Sequence, residues 1–345
     1  MAKKYTNFSR LWVQLALVSS NMLIGSGLWA SGGSSVKSCL LPLGCDPVIP
    51  RVIGELNCSD IDECSGIVES DKYPGVFWVH NDSDNRRFAP GGESIENWNH
   101  DTESRPRIFP ITEHGKLITP KESSQDFKPG VLIDNAINDD WEDIAYDNKG
   151  NIILGDFGNN ANARKDLAFY IVPEPDPFTN KPAWASKKIP FHYPDQKAFP
   201  PDRRNFDAEA LFFAHGKIYV LTKHRSDTYT KLYRLDSEST DSSNELTLLD
   251  RFDVRGQVTG ADASKDGSML AVLTYSAIWV FKLQDGSDHF FDGEVLWLPV
   301  SVGKAEAICF TDPKTLLIVS EDGLIYEVCL SQMQVLKPQK PPVCA

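Results

Sequence analysis

The stretch Ala208-Glu209-Ala210-Leu211-Phe212, followed across a polar turn by Lys217-Ile218-Tyr219-Val220-Leu221-Thr222-Lys223, decides the fold, because the same unit returns four more times. Each copy is a short run of small or acidic residues, a turn, and a strongly apolar strand that ends in polar residues. Upstream it reads Ser65-Gly66-Ile67-Val68 with Val76-Phe77-Trp78-Val79-His80-Asn81-Asp82, and Trp141-Glu142-Asp143-Ile144-Ala145 with Asn151-Ile152-Ile153-Leu154-Gly155-Asp156. Downstream it reads Thr259-Gly260-Ala261-Asp262-Ala263 with Met269 to Thr274, and Ala305-Glu306-Ala307-Ile308-Cys309 with Leu316 to Glu321. Further β-branched and aromatic runs follow each copy, such as Ala168 to Val172, Lys231 to Leu235 and Leu324 to Val328, so a unit holds four short strands.

Aligned on Ser65, Glu142, Glu209, Thr259 and Glu306, the copies stand 77, 67, 50 and 47 residues apart. The last two spacings match one four-stranded propeller blade of about 40 to 50 residues. The first two are a blade plus the polar insertions around Arg86 to Arg107 and Asp176 to Arg204. The pattern predicts an all-β chain forming a β-propeller of five blades, or six if the insertion before Trp141 hides another; a β-sandwich accounts for the strands but not for the repeat. Val48 to Leu56 precedes the first copy where an outer strand precedes the others, and is expected to complete the fifth blade and close the ring.

Of the 345 residues 41% are apolar and 24% charged, enough for a large core. With 35 Lys and Arg against 48 Asp and Glu the net charge is −13, which argues against nucleic acid and anionic membrane surfaces and leaves cations as partners. Lys3, Lys4 and Arg10 precede an apolar run from Leu11 to Ala30, the layout of a secretory signal peptide. The organisation is therefore read as a signal peptide over residues 1–30, a cysteine-containing segment over 31–47, a propeller over 48–335 and a tail over 336–345. The mature protein is expected to be exported, periplasmic or extracellular, with no membrane span after cleavage. An uncleaved anchor is the rival, weakened by Gln14, Ser19, Ser20, Asn21 and Ser26 within the run. The seven cysteines are Cys39, Cys45, Cys58, Cys64, Cys309, Cys329 and Cys344; Cys39 with Cys45 and Cys58 with Cys64 are near enough in sequence to form disulfides, and Cys344 could staple the two chain ends.

The five repeats resemble the SdiA-regulated family of bacterial envelope propellers, and more loosely the phytase-like and gluconolactonase-like propellers. The resemblance lies in Ser65-Gly66-Ile67, Glu142-Asp143-Ile144, Glu209-Ala210-Leu211, Thr259-Gly260-Ala261 and Glu306-Ala307-Ile308, across residues 52 to 330. It implies export, a propeller and a metal, calcium, on the axis. The long insertions and the cysteine-rich N-terminal segment depart from the family.

In a propeller the innermost strand of each blade starts on the face where the second strand ends, so two sets of residues converge there. Ser65, Glu142, Glu209, Thr259 and Glu306 fall nearest the axis. Three glutamates in a narrow channel repel one another unless a cation sits between them, and carboxylates with hydroxyls suit a divalent ion such as Ca²⁺ rather than Zn²⁺. The alternative is that the glutamates cap backbone amides and bind only water. The second-strand ends supply a rim. There Asn81, Asn159, Arg164, Lys223, Arg225, Tyr275 and Glu321 are candidate ligand-binding residues, and His80, Asp82, Asp156 and His224 are candidate acids and bases. Trp78 and Trp141 read as blade packing, with Trp141 a candidate stacking surface. No GxSxG, HExxH, P-loop, strand-linked GxGxxG or complete EF-hand loop is present. Three functions fit: an exported metal-centred module binding a small anionic or carbohydrate ligand, a metal-dependent hydrolase of phosphoesters or lactones, and a protein-interaction scaffold.

Overall fold

The computed structural model of the chain describes residues 36–82, 106–121, 127–179, 181–283 and 286–338. The run Leu11 to Ala30, most of the first insertion and Cys344 lie outside the described residues. No helix among the described residues is long and apolar enough to cross a membrane.

Two strands, β1 (Cys39–Leu40) and β2 (Arg51–Glu55), precede the repeats. Blade 1 is β3 (Cys64–Glu69), β4 (Phe77–Asn81), β5 (Arg107–Ile111) and β6 (Val131–Leu132). Blade 2 is β7 (Trp141–Tyr146), β8 (Asn151–Asp156), β9 (Ala168–Pro173) and β10 (Lys187–His192). Blade 3 is β11 (Asp207–Ala214), β12 (Lys217–Lys223) and β13 (Tyr229–Arg234), completed by β15 (Thr247–Asp253) after a short excursion, β14 (Asn244–Glu245), that runs parallel to β10. Blade 4 is β16 (Val258–Ala263), β17 (Met269–Thr274), β18 (Ala277–Lys282) and β19 (Glu294–Pro299). Blade 5 is β20 (Ala305–Asp312), β21 (Thr315–Ser320), β22 (Leu324–Cys329) and, returning from the N-terminal side, β2. The final strand β23 (Gln334–Pro338) extends blade 4, with β1 beyond it.

The molecule is thus a five-bladed propeller, and no sixth sheet occurs among the described residues. The innermost strands β3, β7, β11, β16 and β20 each pack against the next around the ring, β20 meeting β3. Between blades the strands bury aromatic side chains that meet edge to face, such as Phe252 of blade 3 on Trp279 at 5.4 Å and on Phe281 at 4.9 Å, both of blade 4. Trp78 and Trp141 are fully buried in this packing, so Trp141 offers no stacking surface. The residues around Asp176 to Arg204 are more than an insertion, because they contain β10, the fourth strand of blade 2. The cysteine-containing segment and the tail likewise join the sheet of blade 4, with β23 running to Pro338. The six described cysteines are free thiols, so the expected Cys39–Cys45 and Cys58–Cys64 disulfides are absent; Cys45 and Cys58 instead contact Gln334 and Asp60.

The ring closes as the repeat predicts, with β2 pairing antiparallel to β22 from Arg51 opposite Glu327 to Glu55 opposite Leu324. A second clasp ties β2 to blade 1, where the Glu55 amide donates to the His114 carbonyl and the Asn57 amide to that of Gly115. The backbones touch here: a Cβ on Gly54 would stand 2.4 Å from the His114 oxygen. Gly54→Val is therefore expected to prise the closing strand from blade 1 and cost about 1–3 kcal/mol, seen as a lower urea midpoint; an unchanged midpoint would show that the clasp does not hold the ring.

Candidate metal centre

All five innermost strands carry the same irregularity. The ladder to the second strand slips between Cys64 and Gly66, Trp141 and Asp143, Ala208 and Ala210, Val258 and Gly260, and Ala305 and Ala307. The skipped residues are Ser65, Glu142, Glu209, Thr259 and Glu306, the five on which the repeats align. Each is the extra residue of a β-bulge, a device that re-aims a side chain off the pleat.

Three of the five are glutamates, and they converge around one mouth of the axial channel. Glu142 belongs to two groups of carboxyls whose oxygens lie within 4.8 Å of one another: Asp82, Asp140 and Glu142 on one side, and Glu142, Asp207 and Glu209 on the other. Two oxygens bound to one ion at about 2.4 Å are at most twice that far apart, so either group can share a Ca²⁺-sized cation. Glu142 is only 2% exposed, and no cationic side chain pairs with it among the described residues. Burial pushes its carboxyl well above the usual range, and Glu209, Asp82, Asp140 and Asp207 push it further. Burial, with Asp140 and Glu209 next in order, likewise raises Asp82 to about 9. Glu209 rises to about 8 through burial, although Lys223 opposes the shift.

Glu306 takes no part in either group. Lys223 Nζ stands 2.9 Å from Glu209 and 3.9 Å from Glu306, and Tyr275 accepts from Lys223 and donates to Glu306. The ammonium of Lys223 is the cation between these two glutamates, and it is held there against a burial that alone would lower its pKa. Arg225 pairs with Asp207 at 2.6 Å and approaches Glu209 at 3.6 Å. The cations expected to grip an anionic ligand thus spend their charge on carboxylates of the ring itself.

Several other expected roles change. Ser65 donates its hydroxyl to the carbonyl of Glu142, and Thr259 donates to that of Ala305, so both hydroxyls stitch one blade to the next rather than complete an ion's shell. Arg164 binds Asp156, Asp166 and the Gly158 carbonyl, and Asp156 also accepts from the Asp140 amide, which makes the pair a brace behind Asp140. Asn159 is buried, its amide donating to Asp207 and its side chain to the Phe206 carbonyl. Asn81 reaches outward to the Asp60 carbonyl and Asp62. Glu321 pairs with Lys304 at the rim. His80 is enclosed, with its ring edge-on to Trp141 and Nε2 2.5 Å from where a Cβ on Gly66 would stand, while Nδ1 of His224 faces Asp227 at 2.6 Å. Burial lowers both imidazoles to about 4, and neither belongs to the carboxyl groups.

Three contributors escaped the sequence reading. Asp140 and Asp207 stand two residues before Glu142 and Glu209, and the repeated Asp-x-Glu leading into the bulge is a visible signal for them. Gly158 is the third: a Cβ there would lie 2.1 Å from Glu142 Oε1 and 2.4 Å from the Asp140 carboxyl, so only glycine lets the loop pass this close.

No protein-family model and no curated protein matches the chain. Among solved structures it is similar to that of U3-55K, at 10% identity over 85% of this chain and 70% of that one with a TM-score of 0.35. It is also similar to the WD40 repeats of RRP9, at 10% identity over 87% and 72% with a TM-score of 0.37. A third similarity is to the hydrazine synthase of Kuenenia stuttgartiensis, at 9% identity over 77% and 71% with a TM-score of 0.39. The site described above owes nothing to these similarities.

Removing the internal ammonium tests its role. Lys223→Met leaves Glu209 and Glu306 facing each other without their shared cation, and breaking such a buried pair should cost about 3–5 kcal/mol at pH 8. At pH 5 Glu209 can take a proton and the loss should shrink. Equal urea stability of variant and parent at pH 8 would contradict the assignment.

Proposed function

We propose that this protein is a divalent-cation-binding propeller, with the ion seated at the strand-start mouth among Asp82, Asp140, Glu142, Asp207 and Glu209, and Ca²⁺ the ion selected. The observation that carries this is Glu142, a buried carboxylate shared by two carboxyl groups and paired with no cationic side chain among the described residues. The five carboxyls face Lys223, Arg225 and, behind Asp140, Arg164, so with all five ionised the mouth would hold more negative charge than its own cations offset. An all-oxygen donor set suits a hard ion that takes six to eight ligands, and disfavours zinc.

The ion's outward side would take the small ligand. With Lys223 and Arg225 occupied, the ion itself supplies the positive charge for a carboxylate or phosphate, or ligates sugar hydroxyls. This favours a binding module over a hydrolase: of the four candidate acids and bases, only Asp82 lies within the carboxyl groups. Export belongs to the same proposal, supported by the cationic start and apolar run before residue 31. The resemblance to exported envelope propellers is in keeping with it.

Calcium added to chelator-treated protein should raise Tm, by about 2.7 kcal/mol of stability at a hundredfold excess over Kd, while Glu142→Gln should bind no ion by metal analysis and show no shift. The sign of the pH effect follows from the carboxyls. Without an ion Asp82 and Glu209 titrate at about 9 and about 8 in the folded chain, above their ordinary 3.8 and 4.5, so the folded state holds more protons than the unfolded one. Stability present below about pH 4 is then lost as pH rises toward 9, and the gain from Ca²⁺ should grow between pH 5 and pH 8. Equal metal content in parent and Glu142→Gln, or a Ca²⁺ effect that shrinks with rising pH, would remove the proposal. Turnover of phosphoesters or lactones that requires Ca²⁺ would restore the hydrolase reading.

A further inference from the structure

The innermost strands also end together, and at that opposite mouth lies a cavity of about 40 Å³ to which all five contribute. Its walls include three carboxylates, Glu69, Asp71 and Asp262, and three aromatic rings, Tyr146, Phe213 and Phe310. Lys265 is the one basic residue of the lining. It leaves the end of β16 in blade 4 and crosses the mouth to blade 1, where its Nζ sits 3.1 Å from Glu69 and 2.7 Å from Asp71. Its side chain is 61% exposed.

We propose that this mouth is a second ligand site, for the head group of a primary alkylammonium, with Lys265 its intramolecular occupant in the unliganded protein. The two carboxylates already hold an ammonium at hydrogen-bonding distance, so their geometry fits N–H donors. The rings line directions in which a metal ion would need oxygen ligands, so the cavity suits the methylenes behind an ammonium better than a bare ion. The volume exceeds what one water needs but not what a whole metabolite needs, so the ammonium and its first methylenes enter while the rest of the ligand stays outside. Lys265 is a weak competitor, because an exposed ion pair contributes about 0.2–1 kcal/mol. The same chemistry comes from a free amine or from a lysine side chain of a peptide. The site is independent of any ion at the other mouth.

The experiment is ligand-observed NMR titration with n-butylammonium and with Nα-acetyl-lysine N-methylamide. Both should bind saturably, and Lys265→Ala, a change at an exposed side chain, should tighten binding up to about fivefold by removing the competitor. Adding Asp71→Asn to that variant, at a loop side chain that is 41% exposed, should weaken binding up to about fivefold, the scale of an exposed ion pair. Binding of n-butylammonium alone would identify a free amine as the ligand, and binding of the blocked lysine as well would identify a peptide. No saturable binding to Lys265→Ala, or an affinity indifferent to Asp71→Asn, would overturn the proposal.

Discussion

The structure depends on one electrostatic constraint: carboxylates from successive blades are delivered to the same poorly solvated mouth, where each raises the cost of charging the others. Geometry leaves no escape, because the ring directs every innermost strand to start there and a bulge at each start re-aims the residue that follows. Asp82, Glu142 and Glu209 register the strain as carboxyls pushed far above their ordinary range, burial being the largest cause in each.

The ring answers in two different ways on its two sides. Toward blades 3, 4 and 5 it carries its own cation, Lys223, seated between Glu209 and Glu306 and steadied by Tyr275. Toward blades 1, 2 and 3 it adds acids instead, with Asp140 and Asp207 beside Glu142 and Glu209. The positions two before the bulge spell out the division, reading Glu63, Asp140, Asp207, Gln257 and Lys304 around the ring. Beneath them Asp143 locks the arrangement, accepting from the amides of Leu211 in blade 3 and Ala261 in blade 4. A cation at Glu142 would complete on the acidic side what Lys223 does on the other.

The fold was readable because propeller blades repeat, and a repeat needs only short, imperfect copies in order to show itself. The five aligned residues proved to be the five bulges, so the alignment captured a backbone feature with no composition of its own. Side-chain partners were harder. Ser65 and Thr259 share the bulge position with the glutamates, yet their short hydroxyls reach a neighbouring carbonyl before they reach the centre. Whether Lys223 and Arg225 grip a ligand or a carboxylate follows from the hairpin register, which sets Lys223 opposite Asp207 on the neighbouring strand of the same blade. His80 and His224 ended strands as expected, but burial, not position, decides what an imidazole can do. The Asp-x-Glu pairs were in plain view, and their meaning required knowing that two of the five copies share them.

Anomalous diffraction from crystals of the protein soaked in Mn²⁺, an oxygen-seeking ion with a usable absorption edge, tests the centre most directly. The account predicts one strong peak at the strand-start mouth, within bonding distance of Glu142 and of at least two among Asp82, Asp140, Asp207 and Glu209. A peak elsewhere with none at Glu142, or none at all while Glu142 sits unaccompanied, would contradict it.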